Sequence, residues 1–199
     1  PRRGRTGQQR GGRWACRRCA SPAPALFLRC VGGGFCNDQA IGTEASAVPM
    51  HLDTRNGNTV FADRDHRQVR LFRADASMHL VAQTSNPPSS AAYASDGTIV
   101  FATDGGLLFW VDLFGTIRPL PSTGLRTIQD IAVCDGTIWI VDSYIDSGFP
   151  GLGGVWTLPY PTPAGAQPVH VLSTGLPASG AQVWSPQGIS CGGNHSVLI

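Results

Sequence analysis

Lysine is missing from this 199-residue chain, and glutamate occurs once, at Glu44. All 15 basic side chains are arginine, a skew that reads as coding bias before it reads as function. Charged residues make up only 14% of the chain, against about 25% in ordinary globular domains. No apolar run reaches the roughly eighteen residues that a membrane-spanning helix needs. Amphipathic helical periodicity is absent from 47–199, and 25 glycines with 15 prolines exclude a helical bundle. Neither a G-x-S-x-G elbow nor a Gly-rich phosphate loop appears, so serine-hydrolase and nucleotide chemistry lack a visible carrier. What is present is a 42% apolar content, too high for a disordered chain and enough for one ample core.

Charge is unevenly placed. Residues 1–30 carry eight arginines and no acid, and the remainder, with seven arginines and 13 acids, sums to −6. Segment 1–32, rich in Arg and Gly and without apolar periodicity until Ala25, reads as a disordered basic arm preceding a domain over 33–199. Phosphate neutralisation by this arm would suit nucleic acid, although Trp14 and Phe27 are its only aromatic rings and supply no stacking platform.

Six cysteines divide into two groups. Cys16, Cys19, Cys30 and Cys36 are candidate zinc thiolates, candidate disulfide partners or free thiols, and the spacing leaves all three open. Pairing would place the chain in an oxidising, extracellular compartment. Cys134 and Cys191 each follow a short apolar strand pattern and read as small core fillers.

From residue 47 onward the sequence repeats with a period of about forty. Asn56–Asp63, Asp96–Thr103 and Asp135–Asp142 superpose without gaps, their turn glycines 40 and then 39 residues apart. A fourth block begins at Ser185, and the added spacing falls in a Gly/Pro-rich loop insertion over 143–168. In each block an apolar strand meets an Asn-Gly or Asp-Gly hairpin turn, then a β-branched and aromatic strand. Third strands follow at 68–72, 107–111 and 154–158, and fourth strands at 78–82 and 116–120. Four antiparallel strands at this period predict an all-β chain of β-propeller blades, about three blades plus a partial fourth.

The first block, Val48-Pro49-Met50-His51-Leu52-Asp53, then Gly57 to Asp63, then Asp65-His66-Arg67-Gln68-Val69-Arg70-Leu71-Phe72, resembles an NHL repeat. The resemblance covers about 47–199, is close in the first blade and loose in the second and third, and implies an NHL-like propeller. It also implies rings of typically six blades, so the chain is expected to be a piece of a protein continuing by two or more blades beyond Ile199.

On such a scaffold the turns between second and third strands share a face with the connections between blades. Arg64, Asp65, His66, Arg67, Asp104, Tyr144, Asp146 and Phe149 are therefore the candidate binding residues. Asp63 and Asp142 recur at one blade position, where a carboxylate either holds a turn by accepting backbone N–H bonds, the favoured reading, or serves as a metal ligand or general base around the axis. His51 and His79 lie in strand patterns with no identifiable partner. A rigid ring with variable, aromatic-bearing loops points to a binding or scaffold protein with a protein partner and no cofactor. The alternative is a metal-dependent propeller enzyme of lactonase or amidating-lyase type, using Ca²⁺ or Zn²⁺ held by ligands from several blades.

Overall fold

The computed structural model describes residues 47–143, 154–173, 186–192 and 196–199. Strands and turns make up these residues, and no helix occurs among them. Blade one consists of β1 (Pro49–Arg55), β2 (Asn58–Asp63), β3 (Gln68–Phe72) and β4 (Met78–Gln83). Blade two follows with β5 (Pro88–Tyr93), β6 (Ile99–Thr103), β7 (Leu107–Val111) and β8 (Ile117–Leu120). Blade three contains β9 (Ile128–Cys134), β10 (Thr137–Asp142), β11 (Gly154–Pro159) and β12 (Val169–Ser173). A further pair, β13 (Ser190–Cys191) and β14 (Val197–Leu198), stands at the start of the fourth block. Each blade is a four-stranded antiparallel meander in sequence order.

The tight hairpins come from residues that tolerate positive φ. Asn56-Gly57 has φ of 51° and 77°, and Asp135-Gly136 has 48° and 74°, which suits the mirror-image turns of two-residue hairpins. Blade two departs from this pattern. Its loop runs from Ala94 to Thr98 with only Gly97 at positive φ, because Asp96 Oδ1 accepts the Thr98 amide at 3.0 Å and closes a longer turn. The 143–168 stretch is not one loop: β11 lies inside it and pairs with β10 from Thr137↔Pro159 to Asp142↔Gly154.

The core lies between blades. Val60, Val69 and Ala82 of blade one meet Ala91, Phe101 and Val111 of blade two, where Phe101 and Phe109 stack at 5.1 Å. Ala92, Val100 and Leu108 of blade two meet Ile131, Ile138, Ile140 and Leu158 of blade three. Second strands are covered on both sides, so β6 is buried along its whole length, as its unbroken run Ile99-Val100-Phe101-Ala102 demands. Gly106 is required by proximity, since a Cβ there would sit 2.5 Å from the Leu125 carbonyl oxygen of the next inter-blade connection. First strands pack side by side: β5 against β1, β9 against β5, and β13 against β9. These inner strands line one side of an axis.

The two later cysteines correct the expectation drawn from the sequence. Cys134 is buried beside Val141, Val155 and Ile189, but Cys191 is exposed, and the two are joined in a disulfide. The strand pattern at each cysteine was local information. Their meeting depends on the packing of β13 on β9, which places the Cα atoms 5.7 Å apart, within bonding reach.

Candidate functional site

One face of the blade stack, its rim, carries Arg64, Asp65, Arg67 and Asp104. The β2–β3 turn and the inter-blade connections do share a face: Thr84 N donates to Arg67 O, Asp104 N to Pro87 O, and Ser143 N to Thr127 O. Arg64 and Asp104 meet across blades one and two as a two-pronged pair, Nη1 to Oδ1 at 3.0 Å and Nη2 to Oδ2 at 2.7 Å. Their side chains are 41% and 38% exposed, so solvent screens the pair and its net stabilisation is small. Asp65 is exposed, and Arg67 is exposed in a left-handed conformation with Nη1 3.4 Å from Ser85 O. His66 turns inward, its Nδ1 2.8 Å from both carboxylate oxygens of Asp63. Tyr144, Asp146 and Phe149 lie outside the described residues, as do segment 1–32 and Cys16, Cys19, Cys30 and Cys36.

Asp63 and Asp142 act within their own blades. Both are fully buried; Asp63 Oδ1 accepts Val48 N at 3.1 Å, and Asp142 accepts Arg126 N at 2.8 Å and Thr127 N at 3.0 Å. Each carboxylate therefore holds the strand that enters its blade. Asp63 also has the buried Arg70 Nε 3.4 Å from Oδ2, so His66 and Arg70 flank one buried charge.

A second grouping lies on the axis, and sequence reasoning missed it. His51 from blade one reaches past blade two, setting Nδ1 3.3 Å from Asp130 Oδ2 in blade three. Asp130 is nearly buried and densely bonded: Oδ1 accepts Ser90 Oγ–H at 2.6 Å and Ile131 N at 2.9 Å, while Oδ2 also accepts Ile189 N at 2.9 Å. The hydrogen bond to Asp130 raises the His51 pKa above the ordinary imidazole value; burial opposes this, and the Asp130 charge adds to the rise. These groups line a cavity of about 200 Å³ together with Asp53, Ile131, Val133 and Ile189. The signal in the sequence was that the first strands differ here, with His51, Ser90 and Asp130 ahead of otherwise matching apolar residues.

The opposite face carries a different lock. Tyr160, just after β11 of blade three, places its hydroxyl against Thr98 Oγ1 and 3.2 Å from Asp96 Oδ2 in blade two. Burial works against the Asp96 charge, yet hydrogen bonds from Thr98 and Tyr160 outweigh it and hold that pKa down.

Known structures share this blade architecture. Over 64% of its length the chain superposes on a gluconolactonase from Xanthomonas campestris, at a TM-score of 0.53 and 17% identity, covering 48% of that chain. A chain of the nidogen/laminin complex is similar at a TM-score of 0.58 and 16% identity, over 72% of this chain and 52% of that one. Virginiamycin B lyase from Staphylococcus aureus is similar at 0.52 and 14%, over 76% of this chain and 48% of that one. No protein-family model matches the chain, and no curated protein matches it significantly. At these identities the likeness concerns the fold. The chain is built from β-propeller blades, and it spans about half the length of the solved structures it resembles. That fold hosts both enzymes and binding proteins.

Proposed function

We propose that the chain is a binding module, an NHL-like propeller that recognises a protein partner through its rim. One observation carries this reading: the recurring rim carboxylates, Asp63 and Asp142, are committed to backbone amides, while Asp65, Arg67 and the Arg64–Asp104 pair remain at the surface. A rigid blade stack presenting exposed charged turns is suited to recognition and asks for no perturbed catalytic group on that face. The Cys134–Cys191 disulfide supports an oxidising, extracellular setting for it.

Face-directed variants test the proposal. Asp65→Arg with Asp104→Arg reverses charge on the rim, and Arg73→Glu alters the opposite face. Immobilised wild type and Arg73→Glu are expected to retain the same extracellular partner, and the rim variant to lose it. Equal capture by all three would contradict recognition through the rim.

The His51–Asp130 pair favours a second reading, a metal-dependent enzyme of lactonase or lyase type with Ca²⁺ or Zn²⁺. Such an ion takes three or four protein ligands. Among the described residues no three His, Cys, Asp or Glu side chains gather to hold one. This reading therefore draws its remaining ligands from elsewhere, and lactone turnover abolished by His51→Gln would establish it.

A further inference from the structure

One position in each blade follows a rule that blade one breaks. Ser90 and Asp130 pair with Ala102 and Val141 just before the partners of Phe101 and Ile140, but in blade one the matching Ala62 pairs with Met50, and His51 is the extra residue of a bulge before Leu52. Ser90 and Asp130 each hold an amide of the following blade: Ile131 N lies 3.2 Å from Ser90 Oγ, and Ile189 N lies 2.9 Å from Asp130 Oδ2. His51 makes no such tie. Its Nδ1 faces Asp130, and its Nε2 has no partner among the described residues. Asp53 breaks the pattern too, standing where blades two and three carry Ala92 and Ala132. Its Oδ2 accepts Tyr93 N at 2.9 Å, and its Oδ1 accepts nothing among the described residues. Blade one thus places two polar groups on the axis beyond what blade packing requires.

Both groups line the 200 Å³ axial cavity, whose other walls include Leu52, Ile131, Val133 and Ile189. The charges there are Asp130, matched by His51, and Asp53, matched by nothing in the cavity. Arg55, two residues on, points its guanidinium at the carbonyl oxygens of Ala94 and Ser95 instead. A ligand that complements this space carries a positive charge for Asp53, an oxygen for His51 Nε2–H, and a short apolar body for the walls. A free carboxylate would meet two aspartates and be repelled.

We propose that the axial cavity binds a small primary amine, its ammonium on Asp53 and a neighbouring neutral carbonyl or hydroxyl oxygen on His51. The site is separate from the rim, so either can fail without the other. Leucinamide is the probe: it has the ammonium, the adjacent carbonyl and an isobutyl group of fitting size. Calorimetric titration of the full chain at about pH 6, below the ordinary imidazole pKa, keeps both ring nitrogens protonated. Saturable one-to-one binding is expected, with leucine, which adds a carboxylate, and 4-methylpentanamide, which lacks the ammonium, each weaker by about tenfold or more. Asp53→Asn retains an acceptor for the Tyr93 amide, so its melting temperature should stay near wild type while leucinamide affinity falls about tenfold or more. If Asp53→Asn itself misfolds, the two control ligands still decide the matter on wild type. No saturable heat with leucinamide, equal binding of 4-methylpentanamide, or equal binding by a folded Asp53→Asn variant would each overturn the proposal.

Discussion

An imidazole held by a buried carboxylate gains a proton more readily than one in water, and that preference has a consequence for stability. The His51 pKa is raised in the folded chain through its hydrogen bond to Asp130. A raised folded-state pKa adds stability that is fully present below the unfolded value and is lost as pH rises through the folded one. His51→Gln should therefore lower the melting temperature more at about pH 5.5 than at about pH 8.5, the unfolded imidazole titrating near 6.5. A gap that is constant with pH, measured by calorimetric scans, would deny the pairing. Asp142 tests a different tie, between a side chain and the backbone. Its carboxylate satisfies two amides from full burial, so Asp142→Ala should cost about 1–3 kcal/mol. Chemical denaturation would measure that loss, and Asp142→Asn, which keeps one acceptor, should lose less.

At the scale of strands, the disulfide between Cys134 and Cys191 ties the start of the fourth block to blade three across 57 residues. Reduction, or Cys191→Ser, should lower stability by roughly 2–4 kcal/mol, each kcal/mol moving the melting temperature by about 2–4 °C at this chain length. An unchanged melting temperature in reductant would mean that β13 contributes nothing to the fold. The strands themselves were legible: β3 and β7 fall on 68–72 and 107–111, as the repeat spacing and the flanking turn residues require. Local patterning suffices there, because a meander pairs each strand with its neighbour in sequence. What local patterning could not supply was anything spanning blades. The Asp96-Gly97 turn looked like its two counterparts but closes through the Asp96 side chain, and Cys134 looked like a core filler until β13 brought Cys191 beside it. His51 had no visible partner because that partner sits two blades away. The Arg64–Asp104 pair was half legible: both residues belonged to the rim, but their bonding followed only once blade two packed on blade one.

Taken as a whole molecule, the chain is held by polar ties as well as by apolar faces, and the ties run from one blade to the next. Asp53 holds Tyr93, Ser90 holds Ile131, Asp130 holds Ile189, and Thr98 with Asp96 meets Tyr160. Where β1 departs from this pattern, at the His51 bulge and at Asp53, it leaves polar atoms of those side chains on the axis. Both departures are in blade one. The arrangement stands or falls on whether blades one and three face each other across that axis, and a double-mutant cycle on His51 and Asp130 measures this most directly. Asp130→Asn alone will also weaken the ties to Ser90 and Ile189, and the cycle subtracts that common cost. With His51→Gln, Asp130→Asn and the double variant unfolded at about pH 6, the predicted coupling is about 0.5–3 kcal/mol in favour of the native pair. Strict additivity, within about 0.3 kcal/mol, would place the two side chains apart and contradict the axial site.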